Sequence, residues 1–339
     1  MNRILVVLPN WFGETLFATP FLRALRQARP SAVLATLGWP QCGQMLRHNP
    51  HVTMCLEYDE QGQHRSLAGK WRIAQLVRRQ RFDAAFILRK SLSRALLLWL
   101  AGIPLRIGFE NPKSGWLLTR RVPRPLRPLH KAAGYLPLLE AVGIPAVPGP
   151  YDYVVSDDER SAAQALLRGL NAGRPVAILH PAANWPHKRW PAERFAALGD
   201  RLAERAVQVV LTGGPDDVAL AKAVGQHMRH PALVLAGQTS LRQLAACLER
   251  AQVVVSNDTG VSHLAAALGR PLVALYGPTS PTLTGPLGDP HRMAVLHHPG
   301  CCPEIPCYRP DQPPHPGMRA IQVDEVYAAA CRLLEGAPQ

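Results

Sequence analysis

The sequence has no hydrophobic segment long enough to span a membrane. Its longest apolar run, Ala95–Leu105, is interrupted by Gly102 and Pro104, whereas a spanning helix needs about 20 apolar residues. The apolar stretch that follows Arg3 is also too short for the core of a signal peptide. We therefore expect a soluble, cytoplasmic protein that is at most peripheral to a membrane.

Three motifs of nucleotide chemistry are also missing. The sequence contains no Asp-x-Asp pair for a metal-bound diphosphate, no G-x-x-x-x-G-K-[ST] phosphate loop and no G-x-G-x-x-G dinucleotide fingerprint. Their absence disfavours ATP hydrolysis and hydride transfer.

Cysteine is sparse, with seven residues in a chain of 339. Such an odd, low count is typical of reduced thiols rather than of a disulfide framework. Several residues of one Pro-rich segment could bind zinc: His297, His298, Cys301, Cys302, Cys307 and His315. Their C-C-x4-C spacing fits no common structural zinc pattern, so we expect neither a metal nor a cofactor.

Acidic residues are scarce in the first half of the chain. Residues 1–150 hold 21 Lys and Arg against 7 Asp and Glu, whereas residues 151–339 hold 17 of each, so the whole net charge of +14 lies in the first half. A basic domain of this kind has either a solvated face or an anionic partner, such as nucleic acid, a phosphorylated lipid or a membrane surface.

Apolar runs and helical repeats alternate along the chain, which predicts an α/β protein with parallel sheets. A Pro- and Gly-rich linker at 143–150 separates two series of such elements. We therefore expect two Rossmann-like, doubly wound domains that face a cleft, over 1–150 and 151–339. An alternative that we keep open is that the last helix, near 324–335, packs on the first domain. Ligands of such sheets bind beyond the carboxyl ends of the strands.

The strongest candidate site follows a buried strand that ends near Ser256. Asp258 comes directly after this strand, and Thr259 and Gly260 open a helix whose free amides favour a phosphate. His263 lies one turn into that helix and would face the same site. A helix cap that needs no ligand is the alternative explanation.

Two further loops follow strands of the second half. Lys188 lies in the first loop and could neutralise a diphosphate leaving group, although a solvated basic loop explains it equally well. Gly213 and Gly214 lie in the second loop and suit the close approach of a nucleotide, but a simple turn between strand and helix is as good an explanation.

Glu14 is the only acidic residue among the first 56 positions. It follows the first strand, and basic neighbours would keep it ionised. It is therefore a candidate general base. The alternative is that Glu14 offsets the dipole of the helix at whose start it lies.

Together, these segments resemble glycosyltransferase family 9, the lipopolysaccharide heptosyltransferases, over nearly the whole chain. The resemblance rests on the run Arg3–Arg26, on His130 and Tyr135 with the residues around them, and on three signatures of the second half. These signatures are Lys188-Arg-Trp-Pro191, Ser256-Asn-Asp-Thr-Gly-x-x-His263 and Tyr276-Gly-Pro-Thr279.

The resemblance implies a GT-B fold, with the acceptor bound by the first domain and a nucleotide-sugar donor by the second. It implies inverting transfer of heptose from ADP-heptose to Kdo-lipid A or heptosyl-Kdo-lipid A, with Glu14 as the catalytic base. The implied donor-binding residues are Lys188, Asp258, Thr259, Gly260, His263, Gly213 and Gly214. The acceptor-binding residues that we expect are Asn10, Trp11, Gly13, Arg120, Arg121, Arg124 and Lys131.

The expected partners are an ADP-sugar, a phosphorylated glycolipid and the inner face of the inner membrane, and not nucleic acid. The family usually has Asp where Glu14 stands, and one extra methylene matters when reacting groups must lie about 3 Å apart. Two alternatives stay open. The chain could be a family 9 transferase for another nucleotide sugar or a protein acceptor, or a basic binding protein without catalysis.

Overall fold

The computed structural model describes residues 1–302, 304–308 and 313–336. Its contacts divide the chain into two units, Met1–Tyr153 and Val154–Gln339. Part of the Pro-rich segment at 299–316, for which the sequence predicts an irregular loop, lies outside the described residues, and so does the side chain of Cys301. None of the described helices combines the length and the apolar character needed to cross a bilayer.

The first unit is built on a parallel sheet of six strands in the order β3-β2-β1-β4-β5-β6. The strands are β1 (Arg3–Val7), β2 (Val33–Gly38), β3 (Met54–Glu57), β4 (Ala84–Ile87), β5 (Leu105–Phe109) and β6 (Arg120–Val122). The helices are α1 (Phe12–Phe17), α2 (Thr19–Ala28), α3 (Pro40–Met45), α4 (Leu67–Arg79), α5 (Leu92–Leu100) and α6 (Pro137–Glu140).

The second unit has a six-stranded parallel sheet in the order β12-β11-β10-β7-β8-β9. The strands are β7 (Val176–His180), β8 (Gln208–Leu211), β9 (Ala232–Val234), β10 (Val253–Asn257), β11 (Leu272–Tyr276) and β12 (Met293–His297). The helices are α7 (Asp157–Leu166), α8 (Ala192–Glu204), α9 (Val218–His227), α10 (Leu241–Glu249), α11 (Gly260–Ala267), α12 (Pro281–Thr284), α13 (Pro316–Ala320) and α14 (Val323–Glu335).

Both sheets have the strand order of a Rossmann fold, which confirms the predicted fold class. In each sheet the order reverses beside the first strand of the unit, between β1 and β4 and between β7 and β10. These two strand pairs are apolar and buried because helices cover both faces of a parallel sheet. Ligands of such folds bind beyond the carboxyl ends of the strands at this reversal.

The apolar spacing over Thr15–Arg29 predicts a single helix, but the structure divides this region between two helices, α1 and α2. Pro20 lacks the amide hydrogen that would continue a single helix, and the Thr19 hydroxyl donates to the Leu16 carbonyl instead, at 2.8 Å. The break separates the first loop and α1 from the longer helix that packs on the sheet.

The last helix, α14, packs within the second unit. It contacts α8, β10, β11 and β12, and Val326, Ala329 and Ala330 on its apolar face are buried in the core of that unit. The apolar face of this helix is therefore part of the core of the second unit.

A buried arginine orders the loop after β1. Arg94 on α5 has no exposed surface, and its guanidinium donates to the Leu8 carbonyl and to Asn10 Oδ1, both at 2.6 Å. It also lies 3.2 Å from Glu60 Oε2. Burial acts to raise the pKa of Glu60, but the charge of Arg94 and a hydrogen bond from Ser93 outweigh it and lower the pKa.

We predict that Arg94→Met destabilises the first unit by about 3 kcal/mol, because it removes the partner of a carboxylate and of two oxygens at a largely buried site. Arg94→Lys should lose less, since it keeps the charge but not the planar group. Hydrogen exchange of the β1 amides measures the effect, with the β10 amides of the second unit as the internal control. Unchanged protection of β1 in Arg94→Met would contradict the assignment.

Candidate active site

In the second unit, a lysine, a carboxylate and a threonine from three loops meet beyond the carboxyl ends of β7, β10 and β11. Lys188 Nζ lies 2.6 Å from Asp258 Oδ2, and Thr279 Oγ1 donates to the same oxygen at 2.5 Å. Asp258 is only 5% exposed, whereas Lys188 is 23% exposed. The lysine therefore pairs with a buried carboxylate while part of its side chain remains accessible to a ligand.

The side chain of Asn257 joins two of these loops. Its amide nitrogen donates to the Pro181 carbonyl at 2.9 Å, and its oxygen accepts from the Trp190 amide at 3.1 Å. Asn257 is fully buried, so an apolar residue here would leave backbone groups unpaired. Neither Asn257 nor Thr279 is among the predicted site residues, although both stand inside the motifs that carry the family resemblance.

Helix α11 begins beside this cluster. The Thr259 hydroxyl caps it by accepting from the Val261 amide at 3.2 Å, and the Ser262 hydroxyl donates to the Thr259 carbonyl at 2.7 Å. The cap that we weighed as an alternative therefore exists. It does not exclude a ligand, because the positive end of the helix dipole still lies beside Lys188 and Asp258. Gly260 is the first helical residue, and His263 is buried one turn later.

The loop after β8 contains Gly213 and Gly214. A Cβ atom on Gly213 would come within 2.8 Å of Asp217 Cβ, and the Gly214 amide donates to Asp217 Oδ2 at 3.0 Å. Local packing thus accounts for Gly213, as in the simple turn that we considered. Asp217 also lies 3.6 Å from the Arg189 guanidinium, which links this loop to the loop of Lys188.

A buried histidine, His180, lies beside Ser256 of β10 in the same sheet. It is the last residue of β7, and its Nδ1 lies 3.0 Å from the Thr212 hydroxyl at the end of β8. Burial lowers the pKa of His180 to about 4, so the ring is neutral at pH 7.

Trp190 ties the Lys188 loop to the end of the chain. Its side chain is buried and packs on Phe195 of α8, and its indole nitrogen donates to the Ile321 carbonyl at 3.0 Å. Ile321 itself is buried just before α14. The segment that carries Lys188 is therefore held from both sides, by Asn257 and by the chain before the last helix.

In the first unit, Glu14 and Lys131 form an ion pair beyond the carboxyl end of β1. Lys131 Nζ lies 2.6 Å from Glu14 Oε1, and the two side chains are 46% and 26% exposed, respectively. Burial and the negative charge of Glu14 raise the pKa of Tyr135, so its hydroxyl stays protonated. The structure thus brings the predicted base together with one predicted acceptor-binding residue.

The other residues of the first loop have structural partners. Trp11 is exposed and packs edge-to-face on Trp39, with ring centroids 6.1 Å apart. Asn10 Oδ1 accepts from Arg94, so this side chain orders the loop. Gly13 lies in the first turn of α1, directly before Glu14. A role of these residues in acceptor binding stays a prediction.

Apart from Lys131, the predicted basic residues of the acceptor site lie on or directly after the edge strand β6. Arg120 and Arg121 lie on the edge strand β6, three strands from β1, which is about 14 Å at the usual spacing of strands. Arg124 follows β6 and lies 5.4 Å above the Phe109 ring.

Two basic residues that the sequence analysis did not select lie near Arg124. Arg89 and Lys90 follow β4, and they line the same shallow depression as Arg124 and Asn111. The signal that could have identified them is their position directly after the apolar run Ala84–Leu88, which predicts a strand.

This architecture and these segments occur in known proteins. Residues 70–309 match the family described as "Glycosyltransferase family 9 (heptosyltransferase)". Lipopolysaccharide heptosyltransferase 2 of Escherichia coli (strain K12) is 30% identical over 308 residues, which cover 87% of this chain and 88% of that protein. Lipooligosaccharide heptosyltransferase 2 of Haemophilus ducreyi is 29% identical over 309 residues, with 87% and 88% covered.

Solved structures agree with the sequence relatives. The glycosyl transferase family 9 protein of Veillonella parvula superimposes with a TM-score of 0.88 at 26% identity, over 99% of this chain and 98% of that one. The ADP-heptose lps heptosyltransferase II of E. coli gives a TM-score of 0.82 at 28% identity, with 98% of each chain covered. The chain is therefore a glycosyltransferase enzyme with a GT-B fold, and it belongs to glycosyltransferase family 9, the heptosyltransferases.

Proposed function

We propose that this protein transfers heptose from ADP-heptose to the phosphorylated inner core of lipopolysaccharide, with inversion at the anomeric carbon. The acceptor would be Kdo-lipid A or heptosyl-Kdo-lipid A. The observation that carries the proposal is the cluster of Lys188, Asp258 and Thr279 at the start of α11, in a chain whose relatives are heptosyltransferases of lipopolysaccharide.

The second unit would hold the donor. A diphosphate carries negative charge, and the start of α11 and the Lys188 ammonium supply the positive charge that favours it. As the sugar leaves, negative charge builds up on the diphosphate, and the same two groups stabilise it in the transition state. Gly260 leaves room for a phosphate to approach the first helical amides. Asp258, Thr259 and His263 would line this site.

The first unit would bind the acceptor and supply the base. The Glu14 carboxylate takes the proton of the acceptor hydroxyl as that oxygen attacks the anomeric carbon of the donor, and the bond from this carbon to the ADP oxygen breaks. Lys131 holds one carboxylate oxygen and would orient the base. Arg89, Lys90 and Arg124, with Arg120 and Arg121 at the sheet edge, would attract the phosphates of the acceptor.

The same unit would also dock on an anionic membrane surface, where a glycolipid acceptor is anchored. The outer face of α5 is apolar and exposed along its whole length, because it presents Leu92, Leu96, Trp99 and Leu100. The neighbouring α4 adds the exposed Trp71. It also carries four exposed basic residues, Lys70, Arg72, Arg78 and Arg79.

Apolar side chains beside basic ones match the interface of an anionic bilayer better than they match a protein surface of mixed charge. The distribution of charge along the chain agrees, since the excess of basic residues lies in this half.

The transfer reaction tests the proposal directly. The wild type should release ADP from ADP-heptose in the presence of a Kdo-lipid A type acceptor, and Glu14→Gln should lower kcat by about 10²–10⁴. Lys131→Met is the matched control, because it removes the ion pair but keeps the carboxylate, and it should mainly raise the KM for the acceptor. A Glu14→Gln variant with nearly wild-type kcat would exclude Glu14 as the base.

We predict that Lys188→Met weakens the binding of ADP at least about tenfold, which calorimetry can measure. The substitution removes a phosphate ligand and leaves the buried Asp258 carboxylate to repel the diphosphate. The double variant Lys188→Met/Asp258→Asn should therefore regain part of the affinity. Arg189→Met is the control from the same loop. Equal affinities of Lys188→Met and the wild type would contradict the donor site.

Membrane docking predicts binding to vesicles that contain phosphatidylglycerol and weaker binding when salt is added. Leu96→Ser and Trp99→Ser should each lower the partition coefficient about tenfold, since each removes apolar surface of the size that a bilayer would bury. Val295→Ser, on β12 of the second unit, is the control. Binding that neither substitution changes would refute this docking face, and unaltered hydrogen exchange of the β1 amides shows that the first unit of the variants is folded.

A further inference from the structure

Two thiols and an imidazole, none of them assigned to the reaction, converge in the second unit. Cys302 Sγ lies 3.1 Å from Cys307 Sγ and 3.0 Å from His315 Nε2, and the three ligand atoms all lie within 4.8 Å of one another. We propose that this group, the Cys–His cluster, binds one borderline-soft divalent cation such as Zn²⁺. The proposal reverses the expectation of no metal that the C-C-x4-C spacing suggested.

The chemistry of the cluster fits such an ion. Two thiolates and an imidazole are typical zinc ligands, and a tetrahedral ion completes its shell with a fourth ligand such as water. Cys307 and His315 are 4% and 3% exposed, and Cys302 is partly exposed. A largely dry site strengthens the attraction between thiolates and a cation. A hard cation such as Mg²⁺ would prefer oxygen ligands, of which this set has none.

The backbone holds the ligands in place independently of any ion. The Cys307 amide donates to the Pro278 carbonyl at 2.8 Å, and the His315 amide donates to the His187 carbonyl at 3.1 Å. The loop is therefore fixed at both of these ligands, and the ion would join parts of the chain that are already close. Linear spacing could not reveal this arrangement, because backbone contacts of Cys307 and His315 with distant loops bring the two ligands together.

Protons must move when the ion binds. The Gly317 amide donates to His315 Nδ1 at 3.0 Å, so the neutral ring carries its proton on Nε2, toward Cys302. Coordination through Nε2 requires this proton to shift to Nδ1, and both thiols release theirs to solvent. The Gly317 amide then loses its acceptor at the start of α13. This change gives the proposal a signature that does not depend on activity.

The two anchoring contacts also connect the cluster to the donor site. Pro278 directly precedes Thr279, and His187 directly precedes Lys188, and both of these neighbours contact Asp258. The ion would therefore act as a clip, that is, a cross-link that fixes the loops carrying Lys188 and Thr279. It would take no part in the chemistry. This consequence rests on the proposed donor function, whereas the metal site itself does not.

The experiment measures the metal content and zinc affinity of the full chain, purified with a reductant. The wild type should hold about one equivalent of zinc, and Cys302→Ser and Cys307→Ser should each lower the affinity at least about tenfold. Cys55→Ser, at an exposed cysteine of the first unit, should have no effect. Cobalt in place of zinc should give thiolate-to-metal absorption, and the Gly317 amide should exchange faster in the loaded protein.

Two results would overturn the site. One is a zinc affinity that Cys302→Ser and Cys307→Ser leave unchanged, and the other is a Cys302–Cys307 disulfide in the reduced preparation. The clip has its own test, because removal of the ion with a chelator should weaken ADP binding. Zinc binding without this coupling would overturn the clip alone. Absence of heptose transfer by the zinc-loaded wild type would instead count against the proposed function, so the two failures are distinguishable.

Discussion

The Asp258 carboxylate is the interaction on which the second unit's site depends. It is nearly buried, and a buried carboxylate requires a cation and hydrogen-bond donors. Lys188 and Thr279 supply them from two different loops, and these contacts bring the ends of β7, β10 and β11 to one point. The lysine thus neutralises Asp258, and in the proposed function it would also offer positive charge to a diphosphate. An anionic ligand that draws the Lys188 ammonium away from Asp258 would bring its own negative charge close to that carboxylate. The binding free energy of the ligand would have to offset this repulsion.

Both units carry a lysine–carboxylate pair, and the two pairs differ in how exposed they are to solvent. Each has the Rossmann strand order, and each carries a lysine–carboxylate pair with a separation of 2.6 Å near the reversal of its sheet. The Glu14–Lys131 pair is considerably more exposed than the Lys188–Asp258 pair. Water screens the exposed pair and leaves its carboxylate easier to separate from the lysine. This difference is consistent with the proposed roles, in which the carboxylate of the first unit would act as a base and that of the second unit would stay paired.

Much of the fold could be predicted from the sequence, because strands that helices cover on both faces are continuous apolar runs, as in β1. The site motifs were found for a related reason, since they directly follow such strands. The rest depends on distant contacts. Arg94 stands within an apolar helix, and only the fold shows that Leu8 and Asn10 meet it. The Cys–His cluster was rejected on its spacing, although backbone contacts to remote loops bring its ligands together. Assignment of Glu14, the donor residues and the acceptor residues to their roles stays a prediction.

The contact between Trp190 and Ile321 has a consequence for synthesis on the ribosome. The first unit ends at Tyr153, so it can fold before the residues of the second unit are synthesised. The loop of Lys188 is translated early in the second unit, whereas its anchor at Ile321 lies 131 residues after Trp190. The second unit's site is therefore completed only after Ile321 has been translated, and a chain released before that point would carry the basic first unit without this anchor.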